Sequence, residues 1–141
     1  MTAYDPANIF AKILRGEIPC QKVYEDDATL AFMDVMPQAK GHTLVIPKSP
    51  SRNILDVDLG DLCAVMATVQ KLARALKMAF DAGGVLIVQF NEPPAGQTVF
   101  HFHVHVIPRQ EGVPLIQHAR QMADPAELEE QAKMIRHALE R

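Results

Sequence analysis

His101, His103 and His105 occupy alternate positions in the run VFHFHVHVIPR. On an extended strand alternate side chains share one face, about 6–7 Å apart, so this spacing lines up three imidazoles. The interleaved Phe102, Val104 and Val106 are apolar and assign the opposite face to a core. Each imidazole can donate, accept, ligate a metal or titrate near neutral pH. A purely structural role suits one histidine on such a face better than three in strict alternation. A metal is served poorly by the row itself, because its outer pair would stand about 13 Å apart while metal–nitrogen bonds are about 2 Å long. Two of its members together with His42 would converge better on one ion. Nucleophilic attack at phosphorus suits the row best. An imidazole with an ordinary pKa of about 6.5 is largely neutral at pH 7 and needs no separate base to attack. The phosphorus–nitrogen adduct is labile enough for water to complete the reaction, and flanking imidazoles would stabilise charge on the non-bridging oxygens.

The elements that must position this row can be read from periodicity. Ile9, Phe10, Ile13 and Leu14 have helical spacing, closed by Gly16 and Pro19, which predicts a short helix over residues 8–15. QKVYED and ATLAFMD read as two strands joined at Asp26 and Asp27, and GHTLVIPK as a buried strand with apolar residues on both faces. Leu55, Leu59, Leu62, Met66, Val69, Leu72, Leu76 and Phe80 recur at three- and four-residue steps. They predict one long amphipathic helix, with Asp56, Asp58 and Asp61 at its positive end and Gly83-Gly84 stopping it. VLIVQFN is a fourth strand, NEPPAGQT a polar loop, and the histidine run the fifth strand. RQEGVPLIQHARQM has no clear period and reads as an irregular, partly mobile segment. Asp124, Pro125 and Glu127 then open a last helix with the apolar stripe Leu128, Ala132, Ile135 and Leu139. The fold class is therefore α+β: a five-stranded, mainly antiparallel sheet, one long helix, and short N- and C-terminal helices.

A chain of 141 residues fits a single domain spanning 1–141, with no internal repeat. Its net charge of −3 argues against a nucleic-acid duplex as partner, though not against one small phosphate ligand. Cys20 and Cys63 form no C-x-x-C pair and read as buried free thiols of a reducing compartment. No apolar stretch is long enough to span a bilayer, and the first residues lack the pattern of a signal peptide, so the expected location is cytoplasmic, with no membrane partner.

The pattern H-x-H-x-H followed by an apolar residue resembles the signature of the histidine-triad nucleotide hydrolases and transferases. IFAKILRGEIPCQKVYEDD, TLAFMDVMPQAKGHTLVIPK and NEPPAGQTVFHFHVHVIPR are similar to that family's segments, in order, over a core of about residues 8–110; residues 111–141 form an extension. The resemblance implies an α+β homodimer that binds a purine nucleotide. It implies His103 as the nucleophile, His101 as its orienter with a backbone carbonyl fixing the His101 tautomer, and His105 as a donor to the phosphate or bridging atom. His42 would be the fourth histidine of the site. Asn91, Gln97 and Thr98 would contact phosphate and leaving group; Asp34 would hold ribose hydroxyls, with Phe32, Val35, Ile18 and Leu44 around the base. Read as single residues, His42 is better explained as a buried, hydrogen-bonded strand histidine, and these apolar side chains as core.

Some members carry a zinc-binding C-x-x-C near the start. Here those positions are Asn8 and Ala11, so no metal is expected in the protein, while magnesium could accompany a polyphosphate substrate. A histidine rather than glutamine at the third triad position favours hydrolysis over nucleotidyl transfer. Asn91 matches the Hint-like phosphoramidase branch, whereas AGQTV, HVIPR and the final helix match the fragile-histidine-triad branch, which cleaves dinucleoside polyphosphates. Cleavage of a nucleoside phosphoramidate or similar conjugate is the leading expectation. Hydrolysis of a dinucleoside polyphosphate is the alternative, and a non-catalytic nucleotide-binding or scaffold role is the third.

Overall fold

The computed structural model describes residues 3–116 and 121–141. Strands β1 (Lys22–Glu25), β2 (Thr29–Met33), β3 (Thr43–Pro47), β4 (Gly84–Val88) and β5 (Val104–Arg109) form one sheet. Its spatial order is β1-β2-β3-β5-β4, and every neighbouring pair is antiparallel. The helices are α1 (Ile9–Leu14), α2 (Leu59–Ala79) and α3 (Pro125–Leu139). The expected α+β class and strand count are thus present.

Side-chain alternation divides the sheet into two faces. Ala31, Met33, Val45, Val104 and Val106 point toward α2 and α3, where they pack with Val65, Val69, Leu72, Leu76, Leu128, Ala132 and Ile135. Leu30, Phe32, Leu44 and Ile46 point to the other face and pack with Phe10 of α1. Leu72 is fully buried between these layers, and its truncation to alanine would cost about 2–5 kcal/mol.

The long helix starts later than its apolar periodicity suggests. Asp58 is its N-cap, accepting from the Gly60 N–H at 3.0 Å. Asp56 instead accepts from the Arg52 and Asn53 N–H groups and builds the preceding turn. Leu55 and Leu59 are 65% and 72% exposed, so the stripe meets the core only further along the helix. Its end comes at Phe80, with Asp81 at φ 48, just before the glycine pair. Cys63, expected to be buried, is exposed on α2, a position outside the stripe of Val65, Val69 and Leu72. Cys20 is partly buried.

The last helix begins as expected, with Asp124 accepting from the Ala126 N–H and Pro125 at its first position. The expectation of an irregular segment over residues 109–122 falls partly on 117–120, which lie outside the described residues. On either side of them the chain braces the loop between β2 and β3: Ile116 N–H donates to the Gln38 carbonyl and Ala123 N–H to that of Val35.

The histidine run departs most from its reading as one continuous strand. Ladder pairing starts only at Val104, which faces Val45. Two steps further along β3 stands Pro47, which has no N–H to offer the run. Phe102 N–H turns instead to the Ser51 carbonyl at 2.8 Å. His101 and His103 therefore sit on the approach to β5, and only His105 lies within the sheet.

Candidate active site

His105 is placed by the ladder, opposite Leu44 on one side and Val88 on the other. One residue before β3 stands His42, fully buried. Its Nε2 lies 2.9 Å from His105 Nδ1, and its Nδ1 lies 3.0 Å from the backbone N of Gln38. The Gln38 N–H can only donate, so His42 Nδ1 is the acceptor and a neutral His42 carries its proton on Nε2. That proton is given to His105 Nδ1, so His105 holds its own proton on Nε2. Asp34 Oδ2, 3.4 Å from His42 Nε2, favours the same arrangement.

His103 is fixed in the opposite sense. Its Nδ1 is 2.7 Å from the His101 carbonyl, which can only accept, so the proton sits on Nδ1 and the lone pair on Nε2. The ring packs edge-on to Phe10, with centroids 4.9 Å apart, and lies 5.1 Å from the His105 ring. Phe90 packs edge-on to His105 from another side. The two adjacent imidazoles therefore present unlike nitrogens: a lone pair on His103 and an N–H on His105.

The ring of His101 turns to different partners, although its backbone serves His103. Nε2 lies 2.8 Å from the Pro47 carbonyl and so carries the proton; Nδ1 lies 2.6 Å from the Tyr4 hydroxyl. Burial holds the His101 pKa below the ordinary histidine value, and the ring stays neutral. His101 can thus orient His103 through its main-chain oxygen, while the Pro47 carbonyl sets the tautomer of His101 itself.

The loop after β4 is held by a buried polar network. The amide of Gln97, 3% exposed, is fully used: Nε2 donates to the Arg52 and Val99 carbonyls, and Oε1 accepts from Glu92 N–H and Asn53. Gln97 in this arrangement shapes the loop. Asn91 accepts from Ile54 N–H and exchanges two amide hydrogen bonds with Gln89. Thr98 is exposed at the loop surface. Arg52 pairs with Glu92 through two nitrogens, at 2.7 and 2.9 Å, and lies over the Phe100 ring. Glu92 adopts φ 73, ψ 156, a conformation ordinarily left to glycine.

Asp34, 6% exposed, closes the turn after β2 by accepting from Met36 N–H at 2.8 Å and faces His42 with its other oxygen. Leu44 is beside His105, and Phe32 lies in the same layer against Phe10. Val35, 41% exposed, and the partly exposed Ile18 stand at the margin. Asn8 caps α1 and Ala11 is buried in it, so the two positions that the resemblance aligns with a cysteine pair serve the fold here. Among the described residues Asp34, His42 and His105 offer possible ligand atoms within 4.8 Å of one another. The His42–His105 contact within that trio is accounted for by a hydrogen bond.

Tyr4, Arg52, Asn53 and Glu92 were not legible as site residues. Their partners are remote in sequence, and no spacing rule connects Tyr4 to His101. The one usable signal was the string of polar residues around Arg52 and NEPPAGQT, too polar for a core and too short to be a free loop.

The chain is similar to known proteins in sequence and in fold. The HIT domain matches residues 15–112. The chain is 45% identical over 101 residues to Protein hit of Bacillus subtilis, covering 72% of this chain and 70% of that one. It is 37% identical over 103 residues to the adenylylsulfatase HINT3 of Arabidopsis thaliana, covering 73% of this chain and 52% of the relative. A HIT-like protein of Bartonella henselae superimposes with a TM-score of 0.91 at 55% identity, over 96% of this chain and 99% of that one. A hypothetical histidine triad nucleotide-binding protein of Sulfolobus tokodaii gives 0.86 at 33% identity, over 93% and 91%.

Proposed function

The chain belongs to the HIT domain family, and on that premise we propose that it hydrolyses nucleoside phosphoramidates or similar nucleotide conjugates at the α-phosphorus. The observation that carries this reading is the pair of unlike nitrogens, the His103 Nε2 lone pair beside the His105 Nε2–H. His103 Nε2 attacks phosphorus, forming a phosphorus–nitrogen bond while the bond to the leaving group breaks. The leaving group departs with that electron pair and takes up a proton from solvent. The His103 Nδ1–H bond to the His101 carbonyl stabilises the positive charge that develops on the ring. His105 Nε2–H donates to the oxygen or bridging atom where negative charge grows. Water then attacks phosphorus, the phosphorus–nitrogen bond breaks, its electron pair returns to His103, and the water's proton passes to solvent. The product is the nucleoside monophosphate.

Asp34 binds the ribose hydroxyls, with Phe32, Leu44, Val35 and Ile18 around a purine base, and Thr98 faces the phosphate. The protein acts as a homodimer through the sheet edge: β4 is the outermost strand beside the histidine strand, and Ile87 on it is 42% exposed. No described helix is long and apolar enough to cross a membrane, and a cytoplasmic setting suits the unpaired Cys20 and Cys63. The relative named adenylylsulfatase supports a nucleotide conjugate as substrate. Hydrolysis of a dinucleoside polyphosphate, with magnesium on the substrate, is favoured instead by the packed C-terminal helix α3.

The test is a side-by-side kcat/KM for an adenosine phosphoramidate and a diadenosine polyphosphate, together with acid quenching after a single turnover. An acid-labile nucleotidyl adduct is expected in the native protein and is expected to be absent from His103→Ala, which should retain nucleotide binding. Native-like turnover by His103→Ala would overturn the mechanism, and preference for the polyphosphate would exchange the two substrate readings. Nucleotide binding without turnover of either substrate would leave the protein a binding or scaffold module.

A further inference from the structure

Tyr4 precedes α1 and lies outside the segment, residues 15–112, that matches the HIT domain. Its hydroxyl nevertheless reaches a fully buried atom of the site, His101 Nδ1, at 2.6 Å, and its ring meets the imidazole edge-on with centroids 5.6 Å apart. The direction of the bond follows from the partners. Pro47 O accepts from His101 Nε2–H, so a neutral His101 has only a lone pair at Nδ1, and the phenol must be the donor. Burial keeps the phenol above the ordinary tyrosine pKa, and hence protonated.

With both nitrogens engaged, the His101 ring can neither flip nor change tautomer without breaking a buried hydrogen bond. The same residue's main-chain oxygen is the acceptor that sets His103 Nδ1–H at 2.7 Å. We propose that Tyr4 is a positioning residue for the nucleophile: its hydroxyl locks the His101 ring, and the locked residue holds the carbonyl that aims His103 Nε2. The N-terminal segment thereby becomes part of the site without touching substrate. The catalytic consequence rests on the nucleotidyl-histidine reading above; the structural coupling does not.

The experiment uses the full chain and the variants Tyr4→Phe and Tyr4→Leu. Phenylalanine removes only the hydroxyl, whereas leucine also removes the ring contact. In substrate-free protein, imidazole nitrogen NMR of Tyr4→Phe should show His101 Nδ1 moving toward the shift of an unbonded lone-pair nitrogen. The His103 Nδ1–H resonance should broaden and exchange faster. In single-turnover kinetics the rate of adduct formation should fall about 10-fold with little change in nucleotide affinity. Unchanged His103 resonances in Tyr4→Phe would overturn the proposal, as would a defect seen only with Tyr4→Leu, which would assign the effect to packing. If the native protein forms no nucleotidyl adduct, the functional reading fails, while the NMR arm still decides whether Tyr4 holds the two histidines.

Discussion

His42 Nε2 and His105 Nδ1 stand 2.9 Å apart, and this side-chain bond joins β5 to the residue just before β3. It also decides which nitrogen of His105 carries the proton. With Gln38 N–H directed at His42 Nδ1, the order of donors from Gln38 to His42 to His105 ends in an N–H at His105 Nε2. Replacing His42 by phenylalanine keeps the ring volume but removes that ordering. We expect kcat to fall about 100-fold, comparable to the loss of one oriented donor, with a smaller change in KM. Steady-state kinetics on the preferred substrate would check the split; a raised KM with kcat unchanged would point to binding rather than to the chemical step.

Glu92 offers a counter-intuitive comparison. Its backbone lies in a region natural to glycine, and its carboxylate holds Arg52 and Asn53. Alanine would keep the backbone strain and lose the ion pair, whereas glycine would lose the ion pair and relieve the strain. Glu92→Gly should therefore melt about 3–10 °C above Glu92→Ala. Both should turn over more slowly than the native protein, because the loop carrying Asn91 and Thr98 loses its latch. Calorimetry of the two variants gives the order directly.

Gly41 is a second backbone-limited position. At φ 88, a Cβ would approach the Phe80 ring to 2.6 Å and Pro108 to 2.9 Å, and the Gly41 N–H is committed to Gln131 Oε1 at 3.0 Å. Gly41→Ala should cost roughly 1–3 kcal/mol in urea denaturation. Because His42 is the next residue, the same substitution should slow turnover. Gln131→Leu, on the C-terminal helix, should do so more mildly, which kinetics on folded protein would show.

His101 predicts a pH dependence of stability. Its folded pKa lies below the ordinary value of 6.5 because burial disfavours the charged ring. Between that lowered value and the ordinary one the unfolded chain binds more protons, so stability rises with pH there. The contribution is fully present above about pH 6.5 and is lost as pH falls through the folded pKa. Denaturation midpoints measured across this range should decline toward acid. The decline should be shallower in His101→Gln, which has no proton to gain.

Much of the architecture is legible in the sequence. The apolar periods of α2 and α3, the strand alternation around Val45 and Leu44, and the Asp124-Pro125 helix start are local signals, and the structure places them where they were expected. The early members of the long stripe, Leu55 and Leu59, were misleading because periodicity cannot tell a core face from an exposed one. The break in the histidine strand escaped because it depends on Pro47, a rung partner more than fifty residues away. Tyr4 and the Arg52–Glu92 pair escaped for the same reason: each bond is made between segments that only folding brings together.

By itself the sequence determined that three imidazoles occur at alternate positions with apolar residues between them, and which class of chemistry such a row could serve. Only the tertiary structure decided how the three differ. An imidazole's reactive nitrogen is chosen by what holds the other one. Here those partners are a main-chain oxygen at His101, another at Pro47, a phenol at Tyr4 and a ring at His42. A tautomer is a property of contacts, and contacts between residues distant in the chain exist only once it has folded.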